Sequence, residues 1–275
     1  MELNKMKITK EEIENMSYTE FVGFINQWNV LPGAHDTLTK WEVFSKLSEE
    51  SKILEIACTT GFSSREIALS TNCSGKAFDV CESSVKSAIE NKDKYASKIK
   101  IDYFTEDGYN FKSDDRFSHI IIGASLKFFP DPQRMLDKCI SLLEENGFIL
   151  ASPFYIKSPI PNSLIEEFQK VFGIRPTTES YKDIMNMYKG LEIIYQENNN
   201  IIQETEEELK HYCHSTIKRA CELRGINDKE LYDIMYNRLY TVKDMSNKLR
   251  PYQGYVVLVL RYRSFVYPNR FVELF

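Results

Sequence analysis

The sequence predicts an α/β fold, a doubly wound and mostly parallel sheet carrying a helical addition, and three observations point there. Between residues 52 and 154, short runs nearly continuous in apolar residues alternate with stretches of helical periodicity. That pattern belongs to parallel strands buried on both faces by intervening helices. Beyond residue 155 the alternation gives way to long amphipathic segments, and the chain returns through one strong strand, GYVVLVLRYR at 254–263. The length of 275 residues, 43% of them hydrophobic, suffices for one large domain with an insertion.

The elements follow in order. Ile13, Met16, Phe21, Phe24, Ile25 and Trp28 lie at helical spacing and predict a helix over 11–29, stopped by the loop around Pro32 and Gly33. A second amphipathic helix is expected over 37–48. KILEIA (52–57) reads as a buried strand and SSREIALS (63–70) as a helix. GKAFDV (75–80) is a strand, 83–96 a helix, 100–107 and 119–124 strands, 131–145 a helix, and 147–154 the fifth strand. Ser163 with Glu166 predicts a capping box for a helix stopping at Gly173, and 178–189 a helix stopping at Gly190. LEIIYQE (191–197) reads as an edge strand. Thr205 with Glu208 starts a helix running to Gly225. Asn227 with Glu230 starts another, with Leu231, Ile234, Met235, Leu239, Val242 and Met245 on one face until Pro251. These helices form an insertion expected to lie over the sheet.

Composition excludes several function classes. The net charge is −5 and no basic tract appears, against a partner of long nucleic acid. No apolar run is long enough to span a bilayer, and the charged N-terminus lacks the apolar region of a signal peptide. Six scattered cysteines read as reduced thiols. A cytoplasmic protein, monomer or homodimer, is the expectation, with no membrane or metal partner.

The chemistry centres on KILEIACTTGFSSREIA, residues 52–68. A parallel strand entering a tight turn and a helix N-terminus offers converging N–H groups to a ligand. The dinucleotide fingerprint needs three glycines; here Ala57, Thr59 and Gly61 stand instead. Glu55, two residues before the turn, would repel a pyrophosphate but suits a cationic amine. Asp79, at the end of the second strand beside Val80, can accept two ribose hydroxyls. Asp107, with Gly108, can receive an exocyclic amine after the third strand. Three acids placed for an amine, a ribose and an adenine edge describe S-adenosylmethionine better than a nicotinamide dinucleotide.

On these residues the sequence resembles the class I SAM-dependent methyltransferases. LEIACTTGF follows the family's first motif in register, retaining Thr60 and Gly61. AFDVCESSV and TEDGYNF are similar to its second- and third-strand motifs, and residues 117–154 to its fourth-strand to fifth-strand block. The resemblance covers about residues 50–155. It implies a seven-stranded Rossmann-like sheet whose last strand is antiparallel and sits between the fifth and sixth. It also implies S-adenosylmethionine as cofactor, S-adenosylhomocysteine as product, and Gly123 as a further cofactor-side residue. Alanine and threonine replace two usual glycines, so a turn needing positive φ there carries about 1–2 kcal/mol of strain per residue. Ser118 replaces the usual fourth-strand acid.

The expected organisation is an N-terminal helical lid (1–48), a cofactor-binding core (49–203), a helical insertion shaping the substrate pocket (204–250) and the final strand (251–275). Methyl transfer needs positioning and sometimes a base. His35, in the loop LPGAHDT, is the candidate base, against the reading of an exposed loop histidine. Asp36 either orients it or caps the following helix. Tyr18, Trp28, Lys127, Phe128, His211 and Tyr252 are the candidate pocket residues, each with a plain packing or solvent alternative. His211 and His214 share a helix face but lack a ligand set for zinc. The leading function is a methyltransferase acting on a small-molecule acceptor. The alternatives are a non-catalytic protein that keeps the fold and the cofactor, and a nicotinamide dehydrogenase.

Overall fold

The computed structural model describes residues 8–28 and 31–264. The ends of the expected 1–48 and 251–275 segments, and Asn29 and Val30, lie outside the described residues. Strands β1 (Lys52–Ile56), β2 (Ser74–Asp79), β3 (Lys100–Thr105), β4 (Phe117–Gly123) and β5 (Leu143–Ala151) run parallel in the spatial order β3-β2-β1-β4-β5. Next comes β8 (Gln253–Arg261), antiparallel to β5, to β6 (Phe154–Ile156) and to β7 (Glu192–Asn200). β5 and β6 share one flank of β8 and are separated at Ser152 and Pro153, where proline has no N–H for the ladder. The sheet therefore has seven positions, with the last strand antiparallel between the fifth and sixth, as the resemblance implies.

Helices α4 (Phe62–Thr71), α5 (Glu82–Tyr95) and α6 (Pro132–Leu142) cross over between the parallel strands. The two sheet faces are separate cores. Ile53, Ile67, Val85, Ile101, Val257 and Val259 pack on one, and Leu54, Ile120, Met135, Leu136, Val256 and Leu258 on the other. Alternation along β1 and β8 divides their side chains between the two.

The N-terminal region departs from expectation. In place of one helix over 11–29 there are two, α1 (Lys10–Asn15) and α2 (Tyr18–Phe24). Thr9 with Glu12 and Ser17 with Glu20 each form a complete capping box, so the chain restarts where apolar spacing alone reads as continuous. α3 (Ala34–Ser45) begins at Gly33, which takes φ 76°; Asp36 caps nothing and pairs with Lys40 at 2.8 Å.

Two other starts shift. α7 (Asn162–Phe172) begins at Pro161, without the Ser163–Glu166 box, because Ser163 already lies inside the helix. α10 (Lys229–Leu249) is capped by Asp228, not Asn227. The Thr205–Glu208 box does start α9 (Glu206–Arg224), and α8 (Tyr181–Met187) is shorter than 178–189.

The insertion and the first two helices form a body of their own. Ile13, Phe21 and Ile25 share a buried cluster with Cys213, Ile217, Met235 and Leu239. Arg224 fixes the junction: its Nε donates to the Phe24 carbonyl at 3.1 Å, and its guanidinium pairs with Glu90 at 2.5 Å. Arg238 donates to the Ile13 and Met16 carbonyls, satisfying acceptors at the end of α1. α3 instead packs with the sheet through Leu38 and Trp41.

Candidate functional site

The carboxyl ends of β1 and β4 open on a cavity of about 840 Å³ roofed by α7, α9 and α10. A parallel sheet leaves such a crevice where the strand order reverses, here between β1 and β4. Its strand-side wall is the turn itself: Glu55, Ile56, Ala57, Cys58 and Thr59, with Ile122, Gly123 and Ala124 from the end of β4.

The turn keeps a glycine-type backbone without the glycines. Ala57 has φ 57°, Thr59 φ 48° and Gly61 φ 73°, all left-handed. The three positions behave differently toward their surroundings. Ala57 and Thr59 face the cavity, where a side chain has room. A Cβ on Gly61 would come within 2.8 Å of the Tyr103 ring and 3.0 Å of the Ala88 methyl. Glycine persists where packing forbids anything larger, and the other two positions carry only conformational strain.

Two buried carboxylates flank the turn. Glu55 is 5% exposed and accepts from the Ser64 N–H at 3.1 Å. Burial lifts its carboxyl to about 7, against the lowering pull of the Ser64 and Ser63 hydrogen bonds; the nearby Asp79 charge adds a smaller push upward. Asp79 is also raised by burial. Its oxygens accept from the Thr59 N–H and the Cys81 N–H, both at 2.9 Å, so the carboxylate braces the turn. Among the described residues no cationic side chain pairs with Glu55 or Asp79. Gln27, 5% exposed and in the cavity wall, adds a buried Oε1 with no donor. An acidic wall with an idle acceptor fits a bound ammonium and hydroxyls.

The turn is tied to the N-terminal helices. Thr60 Oγ1 donates to the Gln27 carbonyl at 2.7 Å, and Asn91 Nδ2 donates to the Thr60 carbonyl at 3.1 Å and to Asn26 Oδ1 at 2.8 Å. Asp79, Val80, Asp107 and Gly108 do not line the cavity; Asp79 reaches it only through the Thr59 N–H and pairs in register with Thr105 on the adjoining strand. Val80 is 74% exposed beside the buried Asp79, an apolar side chain presented to solvent where β2 ends. Asp107 is exposed, and its carboxylate accepts from the Tyr109 N–H at 2.7 Å.

The expected pocket residues divide. Tyr18 and Phe128 line the cavity. The Tyr18 ring packs 4.7 Å from Phe172, and burial pushes its hydroxyl up to about 12. Four others stand outside the wall. Trp28 is held between the guanidinium groups of Arg219 and Arg65, 4.4 and 5.0 Å from its ring, and donates to Asn91 at 3.2 Å. Lys127 pairs with Glu179 at 2.7 Å, a partner no local spacing announces. His211 is exposed, because the next residue, Tyr212, occupies the cavity face of α9. Tyr252 packs in the cluster around Leu249 and Phe172, while Gln253 and Tyr255 reach the cavity.

His35 is exposed on the first turn of α3 rather than in a loop. Its ring meets Phe62 edge-on at 5.3 Å, and Phe62 and the adjacent Ala34 are both in the wall. The roof residues Tyr212, Lys243, Ser246 and Arg250 escaped sequence reasoning. The i, i+3 and i+7 spacing of Lys243, Ser246 and Arg250, the last just past the end of α10, was the available signal.

Residues 53–147 match a family model described as a methyltransferase domain. The chain is 24% identical over 209 residues to malonyl-[acyl-carrier protein] O-methyltransferase 2 of Ilyobacter polytropus, covering 73% of this chain and 77% of the relative. The crystal structure of the MccD protein superposes with a TM-score of 0.69 at 24% identity, over 86% of this chain and 100% of that one. A SAM-dependent methyltransferase of Geobacter sulfurreducens, in complex with S-adenosyl-L-homocysteine, superposes with a TM-score of 0.67 at 14% identity, over 89% and 98% of the two chains. Among the described residues no helix is long and apolar enough to cross a membrane.

Proposed function

Starting from a chain that belongs, through its residues 53–147, to the class I SAM-dependent methyltransferases, we propose that its acceptor is a small molecule held in the cavity between the strand ends and the roof. The observation that carries the reading is the pair of acids at the turn: Glu55 and Asp79, buried and without a cation among the described residues, flank a turn left-handed at 57, 59 and 61. S-adenosylmethionine, when bound, supplies a methyl group on a sulfonium for in-line displacement by an acceptor atom.

This chain's own residues then divide the work. Glu55 receives an ammonium, the Gln27 Oε1 takes a further donor, and Asp79 accepts ribose hydroxyls on lone pairs its two backbone donors leave free. Val80 offers an apolar surface beside them, next to Asp107 and Gly108 on the following strand end. The aromatic wall of Tyr18, Phe128 and Tyr255 excludes water from the acceptor. His35, against Phe62 at the edge of the wall, is the candidate to take a proton from the acceptor.

The cavity volume of about 840 Å³ suits a cofactor together with a compact acceptor. The relative from Ilyobacter polytropus is named for a malonyl group on its carrier protein, which supports a small acyl or acid acceptor.

The test is calorimetric titration with S-adenosylhomocysteine. Micromolar binding is expected, weakened roughly ten- to hundredfold by Asp79→Ala as charge-assisted bonds are lost. His35→Ala should leave that affinity unchanged and slow turnover. No binding by the folded wild-type protein would overturn the assignment of the wall to the cofactor.

A further inference from the structure

The roof of the cavity contains a charge that nothing in the fold uses. Lys243 lies in the last two turns of α10, is half-buried and lines the cavity. Among the described residues its ammonium has no carboxylate within ion-pair distance and no hydrogen-bond acceptor; its one recorded contact is the face of the Tyr212 ring at 4.5 Å. Other half-buried lysines end on oxygen: Lys40 on Glu197 at 2.6 Å, Lys127 on Glu179 at 2.7 Å, and Lys92 on the Ile101 carbonyl at 2.6 Å. A half-buried ammonium set against an aromatic face keeps its N–H donors for whatever occupies the cavity.

The neighbouring charges already cancel. Arg250, two turns along the same face, pairs with Glu204 at 2.9 Å and donates to the Ile202 carbonyl at 2.6 Å. Glu204 is in turn held by Asn247, whose side chain accepts from the Glu204 N–H at 2.8 Å and donates to its carbonyl at 2.9 Å. Glu204 is thus fixed on Arg250, which among the described residues leaves one positive charge without a partner on a roof whose other helical residues are aromatic, aliphatic or neutral. Burial holds the Lys243 ammonium below its usual range, with Glu204 opposing that shift.

We propose that Lys243 is the receptor for a carboxylate of the methyl acceptor, so that the substrate class is a small organic acid with a flat or apolar body. The proposal rests on the methyltransferase reading for the word acceptor, but the anion site itself stands on geometry alone. One unbalanced cation matches a singly charged carboxylate better than a doubly charged phosphate. The apolar body would lie along Tyr212, Phe168 and Phe172, which line the same cavity. The acceptor's charged end would then sit on the roof, opposite in sign to the wall that receives an ammonium.

The test compares 3-phenylpropanoate with its neutral isostere 3-phenylpropanamide, titrated into the full chain with and without S-adenosylhomocysteine. The wild type should bind the acid roughly ten- to hundredfold more tightly than the amide. Lys243→Met should abolish the preference, and Lys243→Arg should restore most of it. S-adenosylhomocysteine affinity should stay within about twofold in both variants, with unfolding midpoints confirming that each folds. Equal binding of acid and amide by the wild type, or a preference that survives Lys243→Met, would overturn the proposal. So would loss of S-adenosylhomocysteine binding in folded Lys243→Met, which would give the lysine to the cofactor's own carboxylate. Failure of the wild type to bind S-adenosylhomocysteine, with the acid preference intact, would instead strike the methyltransferase reading and leave the anion site standing. Inorganic phosphate competing as well as the acid would overturn the choice of carboxylate.

Discussion

The two sides of the cavity are built on different principles. The strand-side wall is a backbone device: three left-handed residues, a helix N-terminus and two carboxylates held by main-chain N–H groups. The roof is a side-chain device, in which the rotation of α9 and α10 decides that Tyr212 and Lys243 face inward and His211 does not. Among the described residues the turn side holds two acids without a cation, and the roof holds an ammonium without an anion. Backbone devices tolerate side-chain replacement where the side chain points into open space, as Ala57 and Thr59 do. Side-chain devices offer no such latitude, because each charge needs its own counterpart.

Three experiments would break or sharpen that contrast. The largest effect belongs to Gly61→Ala. A left-handed alanine costs about 1–2 kcal/mol, and a Cβ 2.8 Å from the Tyr103 ring adds overpacking of similar size. Urea unfolding should show a loss of about 2–4 kcal/mol; a loss under about 0.5 kcal/mol would mean the turn is not rigid at this position.

A smaller effect follows from Glu55. Its folded carboxyl titrates at about 7, above its ordinary 4.5. Between those values the native state retains a proton that the unfolded chain has released, so this group's contribution to stability falls as pH rises toward 7. A bound ammonium reverses the preference, expelling the proton. S-adenosylhomocysteine affinity should therefore climb from pH 5 to 7, by at most about tenfold per pH unit. Both slopes should flatten in Glu55→Gln, measured by unfolding midpoints and by calorimetry in two buffers. An unchanged slope in that variant would assign the titration elsewhere.

The smallest effect is Thr59→Gly. Relief of about 1–2 kcal/mol of left-handed strain is offset by up to about 1 kcal/mol of added chain entropy in the unfolded state. A net stabilisation of under about 1 kcal/mol is expected. A net destabilisation would show that the threonine side chain does structural work in the turn.

How much of this was legible in the sequence depended on range. The strands were readable because a parallel strand is a short apolar run, and the positions of Glu55, Asp79 and Asp107 followed from the strand ends, although of the three only Glu55 lines the cavity. Helix restarts at Ser17 were hidden by continuous apolar spacing, although the Ser17–Glu20 pair itself was local and visible. The roof was not readable, because adjacent residues on a helix differ by about 100° in direction and only tertiary packing sets which of them faces in. His211 and Tyr212 are separated by that one step. Lys127 was legible as a cation, but its neutralising Glu179 is 52 residues away in sequence. Trp28 was legible as an aromatic, but not the two arginines that enclose it.

The Arg224 contact with the Phe24 carbonyl joins residues 200 positions apart. A ribosome adding roughly 5–20 residues per second takes on the order of ten to forty seconds to supply that partner. Until then Phe21, Phe24 and Ile25 lack the α9 and α10 side of their cluster, although α5 can already seat against α2, with Ser87 Oγ donating to the Gly23 carbonyl at 2.7 Å. The face of α2 that meets α9 and α10 is therefore completed late in synthesis, well after the face that meets α5.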